Sequence, residues 1–350
     1  MILAYALLLS QFAQLQTLPT TCALGGAPVT ARWTGTVPAR TEAAPPLRVV
    51  ADIPLPGSAS RFDYQSLDPA SGRLFISHMG AGQLVVFDTH TGKVIGNLDG
   101  FPRVTGVLAV PAEHHAYASA TGDHAVVVVD ISTLKDVARV PGPKFPDGIA
   151  YAPTERRVFV SDESGGRNYV IGAATSTLLG SIELGGEAGN TQYDAGSHCI
   201  LVAVQTINQM AVIDPATNAI VRRITFDRSI RFPHGSYVDA PDRVAFVTGQ
   251  ESATLGVLDL RTLELRQVLP IGEDPDVLAF DPSLGLLFVA GESGVVSVFQ
   301  WKDGSLTQRG WYHAPKAHSV AVDPATHRVY VPLADVGGHP VLRVMQVTSP

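Results

Sequence analysis

Two cysteines in 350 residues, Cys22 and Cys199, leave little room for thiol chemistry. They stand far apart without Cys-x-x-Cys spacing, which excludes a zinc ribbon and a thioredoxin-like pair. Cys199 sits in the apolar run Cys199-Ile200-Leu201-Val202 and reads as a small buried hydrophobe, so no structural disulfide is expected. Charge is scarce too, at 16% of residues, and the formal net charge is −7 with no block of Lys or Arg. A nucleic-acid partner is therefore excluded, because that surface needs clustered cations to neutralise phosphates. No stretch approaches the roughly 20 uninterrupted apolar residues of a membrane span. There is no Gly-x-Ser-x-Gly elbow and no His-Glu-x-x-His helix, the common signatures of serine hydrolases and zincins. Gly165-Gly166 leads into the strand Tyr169-Val170-Ile171 rather than a helix, which removes a phosphate-binding loop.

What is abundant is apolar residues, 45% of the chain, which exceeds what a disordered chain carries and is ample for a core. Thirty-three Gly and 25 Pro punctuate short Val/Ile/Leu/Phe runs, a pattern of many short strands and tight turns. Ile2 to Leu9 is apolar and Ala23-Leu24-Gly25 is a small-x-small stretch, so residues 1–25 resemble a secretory signal, although no Lys or Arg precedes Arg32. Residues 26–46, rich in Pro, Ala and Thr from Thr30, read as a linker, and 47–350 as the folded domain. The expected location is periplasmic or secreted.

One signal recurs along that domain: an apolar strand, an Asp-Pro or Ala-Pro turn, then Arg-Val-Phe-Val or a relative of it. The turns fall at Pro69, Pro111, Pro153, Ala195, Ala240, Pro282 and Pro324, spaced by 42 residues except for one interval of 45. A third strand follows, often ending in Asp as in Val85-Val86-Phe87-Asp88, and a fourth leads into the next unit. Four strands per unit is the count of a propeller blade, so the fold predicted is an all-β, seven-bladed propeller. The seventh unit runs out of chain after its third strand, and Leu47 to Leu55 supplies a matching fourth that closes the ring. A monomer is expected.

These motifs resemble the YVTN-type, YncE-like seven-bladed propellers, whose repeats carry the Arg-Val-Phe-Val strand, the Val-x-Val-Ile-Asp strand and a Thr-x-x-x-Val turn. The likeness runs from Leu47 to Val347, with one departure at Tyr169-Val170-Ile171-Gly172, where the usual Asp is missing. It implies the propeller fold and an exported bacterial protein, and it names no activity.

The position six residues before each turn holds Asp63, Thr105, Asp147, Gly189 with Asn190 beside it, His234, Asp276 and His318. In a propeller these residues surround one mouth of the channel, on the face conventionally called the top. Turn chemistry alone accounts for Asp and His at such places, but three ring carboxylates also favour a cation. Like charges ~8 Å apart repel by about 0.5 kcal/mol in water and about 2 kcal/mol at an effective dielectric of 20. His234, Asp276 and His318 lie in adjacent blades, with Asp63 next in the ring, and form a candidate set for a divalent transition metal. The top loops add His78, Glu163, Arg167, Glu251 and Glu292. His90, His114, His115, His124, His198, His313, His327 and His339 read as surface residues. Two functions fit: binding of a small molecule or protein partner at the top face, or metal-dependent hydrolysis or lysis of the lactonase kind.

Overall fold

Short runs of Val, Ile, Phe and Leu that are apolar on successive residues make strands buried on both faces. The computed structural model describes residues 21–348 and arranges such strands in seven antiparallel sheets of four. Blade one is typical, with Gln65–Asp68 innermost, then Arg73–His78, Gln83–Asp88 and Lys93–Asp99. The middle strands are almost wholly buried, whereas the outermost Lys93–Asp99 alternates exposed and half-buried residues. In the last sheet, Ala321–Asp323, Arg328–Val336 and His339–Val347 are followed outward by Leu47–Pro54, with Leu47 opposite Val347. Apolar clusters fill the spaces between neighbouring blades, for example Phe159 and Val170 of blade three against Val202 and Ile213 of blade four.

The turn from strand one to strand two has a left-handed residue at the same place in every blade: Gly72, His114, Arg156, His198, Arg243, Gly285 and His327. Glycine adopts this conformation freely; His and Arg do not. Four of the non-glycine residues reach back to an acid of the preceding blade. Arg156 binds Glu113 at 2.8 and 2.6 Å, and His198 Nε2 lies 2.9 Å from Glu155. Arg243 binds Asp194 at 2.7 Å, and His327 Nδ1 binds Asp281 at 2.7 Å. The conformational cost at these four turns is thus offset by a clasp between blades. His198, expected on the surface, is buried between Glu155 and Tyr193 for this reason. Blade three keeps its outer turn without the usual Asp, since Ser176 N still donates to Gly172 O at 2.8 Å.

The structure corrects two expectations about the N-terminal segment. Cys22 and Cys199 form a disulfide across 177 residues of sequence, because the chain between Ala23 and Ala31 packs on blade four. Spacing along the sequence could not place these thiols together. The bond also sets Cys22 with the folded part, ahead of the boundary at residue 25; the apolar run Ile2–Leu9 lies outside the described residues. Within the stretch read as a linker, Val29–Ala31 adds as a parallel fifth strand to Ala219–Phe226. The chain then follows the outer rim. Trp33 N donates to Asp227 (2.8 Å), Thr41 N to Gln308 (2.8 Å), and Trp311 N to Ala43 O (3.1 Å), before Leu47 joins the last sheet. This strap therefore crosses blades four to seven and is stapled at its start.

Loss of the staple is expected to cost about 2–4 kcal/mol, the usual range for a disulfide that closes a long loop. Thermal unfolding of the native protein with and without reductant, beside Cys22→Ser, measures it. An unfolding midpoint that ignores both treatments would refute the assignment.

Candidate functional site

Each ring residue stands at or just before the start of an innermost strand, and in blades two to six that point is a break in register. The breaks fall between Val104 and Val107, Pro146 and Ile149, Ala188 and Thr191, Pro233 and Ser236, and Pro275 and Leu278. A bulge of this kind re-aims a side chain, and here it turns Thr105, Asp147, His234 and Asp276 to the channel mouth. The following residue is constrained by the next blade. A Cβ at Gly106 would sit 1.9 Å from Asp147 O, and one at Gly235 1.9 Å from Asp276 O. Backbone cannot yield there, so only glycine fits. Hydroxyls of the second strand hold the bulges in place: Ser119 Oγ donates to Asp147 O at 2.8 Å, and Thr248 Oγ1 accepts from Gly235 N at 2.9 Å.

The side chains of Asp63, Thr105, Asp147, Asn190, His234, Asp276 and His318 are buried, and Asn190 lines the larger cavity beyond the mouth. Asp63, Thr105, Asp147, His234 and Asp276 line a cavity of about 120 Å³, together with Arg61, Tyr64, Glu163, Gln205 and Glu292. His318 Nε2 lies 2.6 Å from Asp276 Oδ2 and 3.3 Å from Asp63 Oδ1. On the other side of Asp276, His234 Nε2 stands 2.8 Å from Oδ1, while its Nδ1 donates to Gln205 Oε1 at 3.0 Å. The ion pair with His234 is the contact Asp276 Oδ1 makes. Across the mouth, Tyr64 Oη donates to Asp147 Oδ2 (3.3 Å) and accepts from Asn190 Nδ2 (3.4 Å). Thr105 is occupied structurally, donating to Pro146 O at 2.8 Å.

Beyond Tyr64 lies a larger cavity of about 300 Å³, lined by Leu67, Val107, Ile149, Val277 and Val320 among others and by no charged side chain. Charged groups line the smaller one, and Arg61, Glu292, Lys316 and His318 line a neighbouring cavity of about 270 Å³.

Burial opposes charge throughout this site, and the ion pairs decide which groups keep theirs. For His234, burial is outweighed by Asp276, with Asp147 and Glu163 adding, and its pKa is raised to about 9. His318 is likewise held well above the ordinary histidine range, burial being overcome by Asp276 and Asp63. Asp276 is driven well below the usual carboxylate range by the two imidazoles in spite of burial. Asp147 goes the other way: burial, with Asp63 and Glu163 nearby, pushes its carboxyl well up. Burial also raises Glu163. Two carboxyls of the same type in one mouth thus have opposite tendencies, set by which neighbours face them.

Of the four candidate metal ligands, Asp63, Asp276 and His318 bring ligand atoms within 4.8 Å of one another, all three residues buried. His234 stands outside that group because blade five is one step further round, and it braces Asp276 instead. The top-loop residues divide. Glu163 and Glu292 face the cavity. His78 does not: it is buried, stacked 4.0 Å from Phe62, with its ring nitrogens on Pro56 O and Ser60 Oγ, both at 3.1 Å. Arg167 pairs with Glu183 along blade three, and Glu251 pairs with Arg231 at 3.6 Å in solvent. Arg61, Tyr64 and Gln205 were missed as site residues. Arg61 and Tyr64 flank Asp63 in an unusual loop sequence, which was the available signal; for Gln205 only the contact with His234 reveals the role.

No family model matches the chain. It is similar to uncharacterized proteins YncE of Salmonella typhi and Salmonella typhimurium, 29% identical over 96 residues. The matched region is 27% of this chain and 27% of each relative, so it spans about a quarter of their length. In structure it is similar to hydrazine synthase of Kuenenia stuttgartiensis, with a TM-score of 0.68 and 14% identity, over 79% of this chain and 92% of that one. At that identity the likeness shows the fold alone. The repeats are YncE-like and the fold is a seven-bladed propeller.

His234 carries a signed pH dependence. With its pKa raised from 6.5 to about 9, its contribution to stability is complete below 6.5 and is lost as the pH climbs through about 9. The thermal midpoint is expected to fall across that window in the native protein and to fall less in His234→Gln. A His234 ring that titrates near 6.5 by NMR would overturn the assignment.

Proposed function

We propose that this propeller is an exported, monomeric binding protein that takes a small, positively charged ligand into the mouth of its channel. One observation carries the reading: among the described residues five acids, Asp63, Asp147, Glu163, Asp276 and Glu292, face the cavity, against Arg61 and the imidazoles of His234 and, beside it, His318. Like charges 4 Å apart repel by about 4 kcal/mol at an effective dielectric of 20, so a cation placed among the ionised carboxylates offsets part of their mutual repulsion. Drug-sized ligands need pockets of roughly 300–1,000 Å³. At about 120 Å³ the mouth fits only an ammonium head or a metal ion. A protein partner on the top face would reach the same carboxylates through a lysine side chain.

A second reading, metal-dependent hydrolysis or lysis of lactone-like substrates, draws on the Asp63, Asp276 and His318 group. It needs in addition a base beside the reacting carbonyl, and our candidate is Glu163, which faces the same cavity and whose pKa burial raises.

Thermal shift with a panel of primary and quaternary amines and divalent metals tests the first reading. At a hundred times Kd a ligand adds about 2.7 kcal/mol of stability, and Asp276→Asn is expected to weaken binding at least tenfold. No shift with any cation would end the proposal. A lactone and ester hydrolysis screen decides the second reading, which fails if metal-loaded protein shows no turnover.

Export is supported by the Cys22–Cys199 bond, since disulfides persist in oxidising compartments. Alkylation of the protein in intact cells of its source is expected to leave both thiols unlabelled until reductant is added; ready labelling would count against export.

A further inference from the structure

The centre of the mouth contains a conflict that protons do not resolve. His318 Nε2 faces Asp276 Oδ2 at 2.6 Å and Asp63 Oδ1 at 3.3 Å, both acceptors, and also Arg61 Nη2 at 3.1 Å, a donor. As a donor the nitrogen opposes Arg61; as an acceptor it opposes two carboxylates. Either way one contact is unfavourable. His318 Nδ1 is buried without a hydrogen-bond partner, 3.5 Å from Glu292 Oε1. Asp276 Oδ1 meets only the His234 imidazole, at 2.8 Å, so His318 Nδ1 is the unsatisfied polar atom of this group among the described residues.

We propose that Asp63, Asp276 and His318 form a divalent transition-metal site, and that Arg61, held by Glu292, is the resident cation which the metal displaces. A metal ion that takes the Nε2 lone pair and one oxygen from each carboxylate turns three competing contacts into three ligands. It also removes the reason for Arg61 to stay. Arg61 is anchored from outside by two bonds to Glu292, both 3.1 Å, and its side chain is half exposed, so it can swing out to solvent without crossing the core. Glu292 released from Arg61 then stands beside His318 Nδ1, where a carboxylate orients a metal-bound imidazole. His234, outside the ligand set, fixes the rotation of Asp276. One imidazole and two carboxylates suit manganese, iron(II), cobalt or zinc, whereas calcium takes six to eight oxygens.

The inference rests on the reading of the mouth as a cation site and names the cation. Full-length protein freed of metal by chelator is titrated with cobalt(II), followed by calorimetry and by its visible absorption. One equivalent is expected. Asp63→Asn and His318→Gln should each weaken it at least a hundredfold, and Arg61→Gln should tighten it about tenfold. Circular dichroism confirms that each variant is folded; should His318→Gln not fold, Asp63→Asn carries the comparison. Cobalt binding that is absent, or unchanged by Asp63→Asn, overturns the metal site. Affinity that does not rise in Arg61→Gln overturns the displacement. If amines bind while cobalt does not, the metal is wrong and the cation-binding reading stands; if neither binds, both fall.

Discussion

Where the innermost strands of blades two and five meet the next blade, there is no room for a side chain between backbones. At Gly106 and Gly235 a single added carbon would meet the carbonyl oxygen of the next blade's ring residue at 1.9 Å. That contact governs the site. It forces glycine after Thr105 and His234, and it accompanies the register breaks that turn Asp147, His234 and Asp276 inward. Because the backbones are this close, polar side chains from blades far apart in sequence end within hydrogen-bond reach, as in the bond from Tyr64 to Asp147.

Such convergence concentrates acid where water is scarce, and the structure answers with two devices. In the mouth, ion pairing with Asp276 raises His234 and His318 and lowers Asp276, while burial beside Asp63 and Glu163 raises Asp147. On the opposite face, Arg and His in strained turns pair with acids of the preceding blade, from Arg156 and Glu113 to His327 and Asp281. The first device leaves a site whose charge can be exchanged for that of a ligand. The second locks blade to blade, so that an exchange at the mouth need not loosen the ring. The N-terminal strap and its disulfide reinforce the same ring from outside, over blades four to seven.

Much of this was legible in the chain before any coordinate. The near-constant spacing of the turns announced seven blades, since a repeat that cannot bury its own faces must stack on its neighbours. The same phase located Asp63, Asp147, His234, Asp276 and His318 at one mouth, because equal phase in equal blades means equal height on the axis. The phase could not tell which ring residues touch. His234 and His318 look equivalent in sequence, yet only His318 lies with Asp63 and Asp276, and His78 resembles a loop ligand while it is buried against Phe62.

Local patterning, in short, carries whatever repeats. Strand order within a blade, the ring position and the turn that precedes strand two recur with the period, so the amino-acid sequence alone determined them. What does not recur was decided by the tertiary structure: Cys22 against Cys199, the strand Val29–Ala31 on blade four, Arg61 over His318, Gln205 on His234. Each joins residues from unrelated phases of the repeat, or from outside it. Their meeting depends on the curvature of the closed ring and the path of the chain around its rim, and neither is encoded in any local stretch.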